Sequence, residues 1–345
     1  MTLPSGRDWL FAGKAYLAAI LALYIALAWD MPRPYWAMTT VYIVMNPLSG
    51  ATASKAIFRA CGTVLGATAA VVLVPSLVNT PELLVLAIAL WTGTLFYLSL
   101  LDRTPRSYVF MLAGYTLPLI ALPALAAPET IFDVATARAQ EILLGITCAA
   151  VVSAVVLPVS IGPVLTGRIS IWLRDAGAWA QEILRGEDAT PLARQRLAGD
   201  IAAMDMLISQ ISYDAQASDM AGQARELRGR LLLLLPLLSS LADRMQALRL
   251  EADGLPPELR ELTAEIAEWM GAGANLDTAA ILARLDALEP STAQMRSWSG
   301  LVTSSLVARL REVVELWRDC LAQRRNIAAG PARPRRAGTA RTAAS

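Results

Sequence analysis

Histidine does not occur anywhere in this sequence. Its absence removes the commonest general base and the commonest metal ligand together. Cysteine is scarce: Cys61, Cys148 and Cys320 are an odd set with no CxxC spacing, so neither a zinc site nor a redox pair is expected. They read as free thiols used as small apolar residues. The stretch "GATASK" at 50–55 has one glycine before its lysine and lacks Walker A spacing, which excludes ATP hydrolysis by that motif. No GxSxG occurs, and serines without a histidine cannot build a Ser-His-Asp triad. A basic excess is missing too: 30 Lys and Arg face 29 Asp and Glu. Nucleic acid is therefore not an expected partner. No enzyme activity, cofactor or metal follows from these residues.

Apolar sequence is abundant. Hydrophobic residues make up 55% of the 345, and the mean hydropathy is +0.47. Charge is unevenly spread: residues 1–160 hold 8 Lys/Arg and 7 Asp/Glu, against 22 of each in residues 161–345. Long apolar runs broken by single charged loops read as membrane spans, and dense balanced charge reads as a solvated helical surface. The fold class expected is all-α: a six-helix transmembrane bundle over 1–160, a cytoplasmic helical domain over 161–326 and a disordered basic tail over 327–345.

The spans are expected at 9–29, 34–49, 56–77, 81–101, 107–126 and 139–159. Trp9 and Trp29 bracket the first at roughly 30 Å of helix, the thickness of the hydrocarbon core. The run continues past the N-terminal region without a small-residue cleavage site, so it reads as an anchor and not a cleaved signal. The second is short and broken by Pro47 and Gly50, and the fifth should kink or end early at Pro118 and Pro123. Gly62 and Gly66 form a GxxxG pair, the spacing that lets helix backbones approach closely in lipid. With the N-terminus inside, the cytoplasmic face receives Arg7, Lys55, Arg59, Arg103, Arg106, Arg168 and Arg174, and the outer face Arg33 and Arg138. That bias predicts an N-in, C-in topology.

Beyond 160 the apolar residues recur at three- and four-residue spacing, as in 169–184 and 304–323, giving amphipathic helices that need a partner surface. "LLLLLPLL" at 231–238 is flanked by charge and interrupted by Pro236, and reads as a buried core helix. This half is expected to pack protomers together. From Arg324 to Ser345 there are six Arg and no acid, suited to attraction toward anionic lipid.

Three ordered blocks carry a family resemblance: "YWAMTTVYIVMNPLSGATASKAIFRACGTVLGA" (35–67), "LDRTPRSYVFMLAGYTLPLIALP" (101–123) and "FDVATARAQEILLGI" (132–146). Residues 8–160 strongly resemble the fusaric acid resistance family, which includes the aromatic acid exporters, and the helical half resembles it loosely. The resemblance implies a Gram-negative inner-membrane efflux protein exporting hydroxylated aromatic acids or similar anions. A periplasmic membrane fusion adaptor, and with it an outer-membrane channel, are the partners it implies, with the lipid bilayer as surroundings. Family members often repeat the bundle and its helical unit, whereas this chain carries one copy. A homo-oligomer or a piece of a longer protein are the two readings.

Ionisable residues in or beside spans are the candidate site, since each costs about 2.5–3.5 kcal/mol at mid-bilayer on insertion scales. Arg138 and Glu141 sit three apart with Asp133 upstream: an anion-recognising arginine beside a proton-carrying carboxylate, or a salt bridge that fixes helix register. Lys55 and Arg59, four apart, either gather anions from the cytoplasm or anchor the span. Tyr115 and Thr116 offer hydroxyls to a phenolic substrate or to a neighbouring helix. Tyr35 and Trp36 read as interfacial belt residues in preference to a stacking cage, and Thr39 and Thr40 stay open in the same way. The function expected is proton-driven export of aromatic or other organic acids; a passive anion channel and a non-transporting scaffold are the alternatives.

Overall fold

The computed structural model describes residues 4–102, 104–187, 191–250, 255–272 and 277–329, and among them every regular element is a helix. Arg103 and the basic tail from residue 330 onward lie outside the described residues. The chain divides into two compact units, one of residues 1–162 with 206–218 and the other of 163–205 with 219–345.

The first unit holds α1 (Gly6–Ala28), α2 (Tyr35–Val44), α3 (Ser49–Leu77), α4 (Pro81–Leu101), α5 (Ser107–Ala124) and α6 (Ile131–Val155), the last entered by a single 3-10 turn at Pro128–Thr130. The Ser5 hydroxyl caps α1 by accepting from the Asp8 backbone N–H, while the Asp8 carboxylate accepts from the Ser5 N–H in return. Alanine then recurs at 15, 18, 19, 22 and 26, all buried, a small-residue stripe against which α2 and α6 pack closely through Ala37, Val41, Ile142 and Ala149. A second cluster joins α3, α4, α5 and the start of α6 through Ala70, Val74, Leu84, Leu117, Ile120 and Ile131. Gly62 and Gly66 face α5: a Cβ at Gly62 would lie 2.6 Å from Leu112 Cβ, and one at Gly66 2.6 Å from Thr116 Cβ. The GxxxG spacing thus sets the α3–α5 approach within this chain. Gly145 does the same for α6 against α2, where a Cβ would meet the Ala37 carbonyl at 2.4 Å.

Six helices of the described chain are long and apolar enough to cross a membrane, but the set is not the one expected. Five are α1, α3, α4, α5 and α6 with its turn; the sixth is α9 (Ala221–Leu250) with the turn before it, from the second unit. α2 is not among them, because its ten residues reach only about 15 Å. Chain 45–48 leaves helical geometry, with Met45 at ψ 137° and Leu48 at φ −95°, ψ 129°, and bends at Pro47 and Leu48. Pro47 explains the break: it has no N–H to donate and drives its predecessor out of helical geometry. Gly50 does not share in it. It lies in the first turn of α3, where a Cβ would meet Ile161 Cδ1 at 2.7 Å and Asp214 Cβ at 2.9 Å. α6 begins at Ile131, ahead of the expected 139, which brings Asp133 into its first turn.

Where a helix is interrupted, the freed backbone groups need partners, and several find them here. The Asn46 N–H donates to Thr52 Oγ1 (2.9 Å), the Thr52 hydroxyl donates back to the Asn46 carbonyl (3.1 Å), and the Leu48 N–H donates to Asn46 Oδ1 (3.2 Å). Lys55 Nζ donates to the Ile43 carbonyl at 2.9 Å, capping the last turn of α2.

The second unit is built from α7 (Ile161–Arg185), α8 (Pro191–Ile211), α9, α10 (Pro257–Ala272), α11 (Thr278–Ala287) and α12 (Trp298–Ala329), with the ends of α7 and α8 at 161–162 and 206–211 belonging to the first unit. Trp172, Trp269 and Trp317 are buried in it, and the Trp172 indole N–H donates to the Leu197 carbonyl at 2.9 Å. Along the leucine run, Leu231, Leu234, Leu235 and Leu238 are buried at helical spacing while Leu233 is exposed. α9 packs against α12 in this way and forms a core helix of the second unit.

Candidate functional site

Two arginines are among the buried charged residues. Arg59 sits on the face of α3 that recurs at 59, 62, 63, 66, 67 and 70, and only 2% of its surface is exposed. Its Nη1 donates to the Tyr108 hydroxyl at 3.1 Å and to the Tyr115 hydroxyl at 3.4 Å, both from α5; its Nε has no partner. Arg138 of α6 is 5% exposed and lays its guanidinium over the Trp36 ring, 4.0 Å from the centroid. That is a close cation–π contact. Arg138 Nε also has no partner, and Tyr115, Arg59, Arg33 and Glu141 are its electrostatic neighbours.

Neither arginine is paired to a carboxylate. The ion pairs of 4.0 Å or less among the described residues all lie between Arg174 and Asp319. Glu141, 1% exposed, accepts through Oε1 from the backbone N–H of Arg33 at 2.6 Å, and its Oε2 is unpartnered. The register salt bridge between Arg138 and Glu141 is therefore not what holds α6. Asp133, exposed, joins Arg33, Arg138 and Glu141 around a cavity of about 150 Å³.

A second cavity, of about 230 Å³, lies beside the N-terminal part of α3 among Asn46, Ser54, Lys55, Phe58, Tyr108 and Gln210. Lys55 Nζ stands 5.8 Å from the centroid of the Tyr108 ring, whose hydroxyl faces Arg59. Buried hydroxyls without partners, at Ser54, Thr63 and Thr40, mark the interior near both arginines. Such atoms are costly in an apolar setting unless something hydrogen-bonds to them.

Of the residues expected from sequence, Lys55, Arg59 and Tyr115 come together with Tyr108, and Arg138, Glu141 and Asp133 come together around the other cavity. Thr116 is buried against Gly66. Two residues escaped the sequence reading: Tyr108, which stood in the second family block without a role, and Trp36, taken for a belt residue but stacked on Arg138. An aromatic beside a cation in space leaves no mark in sequence spacing. Among the described residues no cluster of His, Cys, Asp or Glu could hold a metal.

Comparison with known proteins agrees with the sequence blocks. The chain is 34% identical over 160 residues to the p-hydroxybenzoic acid efflux pump subunit AaeB of Musicola paradisiaca (strain Ech703), covering 44% of this chain and 25% of that protein. It is 36% identical over 160 residues to the AaeB subunit of Edwardsiella ictaluri (strain 93-146), with the same shares. It is 35% identical over 143 residues to the uncharacterized transporter YdhK of Escherichia coli (strain K12), covering 41% of this chain and 21% of that one. The matched segment spans a quarter or less of the length of these relatives. A family match extends much further, across residues 8–344, and on it the chain belongs to the fusaric acid resistance protein family.

Proposed function

We propose that this protein exports aromatic or other organic acids of the fusaric acid or hydroxybenzoate kind across a bacterial inner membrane. One observation carries the reading: two guanidiniums are buried in the bundle without a carboxylate partner, each with an unpartnered Nε. A buried charge that lacks an ion-pair partner carries a desolvation penalty that a ring face or neutral hydroxyls offset only in part. An anionic substrate passing through would relieve it, and an arginine fork is shaped to take a carboxylate. The names of the relatives support the same direction.

In this reading the first unit crosses the membrane six times, α2 and its non-helical continuation together making the second crossing, with both termini and the second unit cytoplasmic. The 230 Å³ cavity then faces the cytoplasm and the 150 Å³ cavity faces outward. Glu141 is the proton-carrying group that would couple export to the proton motive force. A periplasmic membrane fusion adaptor and an outer-membrane channel complete the path, and the second unit packs protomers into a homo-oligomer. No enzymatic role is part of the proposal.

Growth of an efflux-deficient bacterium on fusaric, p-hydroxybenzoic and salicylic acids tests it, with this chain and an adaptor expressed. Resistance to at least one acid, lost on Arg138→Ala with the protein still in the membrane, is the expected result. Growth no better than the empty-vector control on every acid would refute export. Deleting residues 165–345 should break the assembly, read as oligomer size by light scattering.

A further inference from the structure

The cavity at the broken end of α2 has features that the export reading does not use. Its wall combines two aromatic rings, a cation and a buried hydroxyl. Ser54, 1% exposed, lines it with an Oγ that has no partner. Lys55 spends one N–H on the Ile43 carbonyl, leaving two for a ligand. Phe58 and Tyr108 both line it, as do Met206 and Gln210 of α8, which belong to the same compact unit. Phe58 is itself propped by Tyr213 of that segment, edge to face at 5.9 Å.

Resting on the export reading, we infer that this cavity is a binding site for a single-ring aromatic carboxylate, with the acid group on Lys55 and the ring between Phe58 and Tyr108. The chemistry of each wall selects the ligand. Lys55 supplies a point charge for an anion. Phe58 and Tyr108 offer ring faces and edges to another aromatic. Ser54 and Gln210 supply hydrogen bonds to a ring hydroxyl. Size agrees: at about 230 Å³ the cavity falls below the roughly 300–1,000 Å³ of drug-sized sites, which suits a small acid. Tyr108 stands between this site and the interior, its ring toward Lys55 and its hydroxyl on Arg59 at 3.1 Å. A bound carboxylate on Lys55 is thus one side chain away from the first buried arginine.

Calorimetric titration of the purified full chain in nanodiscs with p-hydroxybenzoate tests the site without requiring transport. Wild type should bind, and Lys55→Gln should weaken binding at least about tenfold, as loss of a charged hydrogen-bond partner does. Lys55→Arg should restore most of it. Met206→Trp, which fills the cavity from the α8 side with Lys55 intact, should abolish it even if Lys55→Gln proves unstable. Cyclohexanecarboxylate should bind more weakly than p-hydroxybenzoate, and Phe58→Leu should narrow that difference. Unchanged affinity in both Lys55→Gln and Met206→Trp would overturn the site, as would wild type that does not bind. Cells that gain resistance while the wild type fails to bind would isolate the failure to this site. Failure of both assays would remove the export reading as well.

Discussion

Replacing Gly66 by alanine should loosen the bundle at the point where its candidate site is assembled. The added Cβ would lie 2.6 Å from Thr116 Cβ and 2.9 Å from the Ala113 carbonyl oxygen. Carbons attract best near about 3.5–4.0 Å, so α5 must retreat by about 1 Å. Its backbone cannot rotate away as a side chain would. Overpacking of this kind costs about 1–3 kcal/mol, offset by about 0.5–1 kcal/mol because alanine suits a helix interior better than glycine. A net loss of about 1 kcal/mol remains, between limits of about 0 and 2.5 kcal/mol. The shift also strains the 3.4 Å contact between Tyr115 and Arg59, next in sequence to the displaced Thr116. Gly93 is the control, since nothing lies within 4 Å of a Cβ there, and its alanine variant should melt at or slightly above wild type. Thermal unfolding of the purified proteins in detergent, followed by tryptophan fluorescence, ranks the three. A Gly66→Ala variant melting as high as Gly93→Ala would refute the claim that α3 and α5 meet through this glycine.

Three further outcomes follow from named contacts. Glu141→Gln still accepts from the Arg33 N–H, now 2.6 Å from Oε1, but cannot exchange a proton; pH-dependent export should vanish while expression and oligomer size stay as in wild type, whereas a passive channel would show no change. Asp214, 1% exposed, accepts from the Ile161 N–H at 2.6 Å, the Ser160 hydroxyl at 2.9 Å and the Gln216 N–H at 3.0 Å, so Asp214→Ala should cost at least about 2 kcal/mol in the same melting assay. Burial pushes the Cys320 thiol of α12 up to about 12 from an ordinary 9.0, so at pH 8 maleimide should leave it unmodified in the folded protein and label it after denaturation. Because that folded-state value is raised, the thiol's contribution to stability is whole below pH 9.0 and is lost as pH climbs toward 12.

Much of the architecture was readable from the apolar periodicity, because lipid-facing and buried surfaces both demand apolar side chains and few charges interrupt them. Periodicity reports a helix's face and length, not what it meets. It therefore anticipated that Arg59 and Arg138 were unusual, and that 62 and 66 permit a close approach, without revealing that Tyr108 and Trp36 would meet those arginines from other helices. The stretch expected as the second span shows the opposite weakness. Pro47 and the shortness of the stretch marked a break, but not that only Tyr35–Val44 is helical, nor that Thr52, Asn46 and Lys55 bond to backbone groups beside it. The leucine run of α9 has the length and hydropathy of a span, yet Leu231, Leu234, Leu235 and Leu238 are buried and the helix packs against α12 of the second unit, a difference that composition does not register.

Reconstituted vesicles test the central claim most directly. The purified chain, placed in liposomes with a pH gradient, should accumulate labelled p-hydroxybenzoate faster than empty vesicles. Arg59→Ala and Arg138→Ala, each confirmed folded by melting, should fall to the rate of empty vesicles. Transport by either variant at the wild-type rate would contradict the account, because a buried arginine that the anion does not need could not be what carries it.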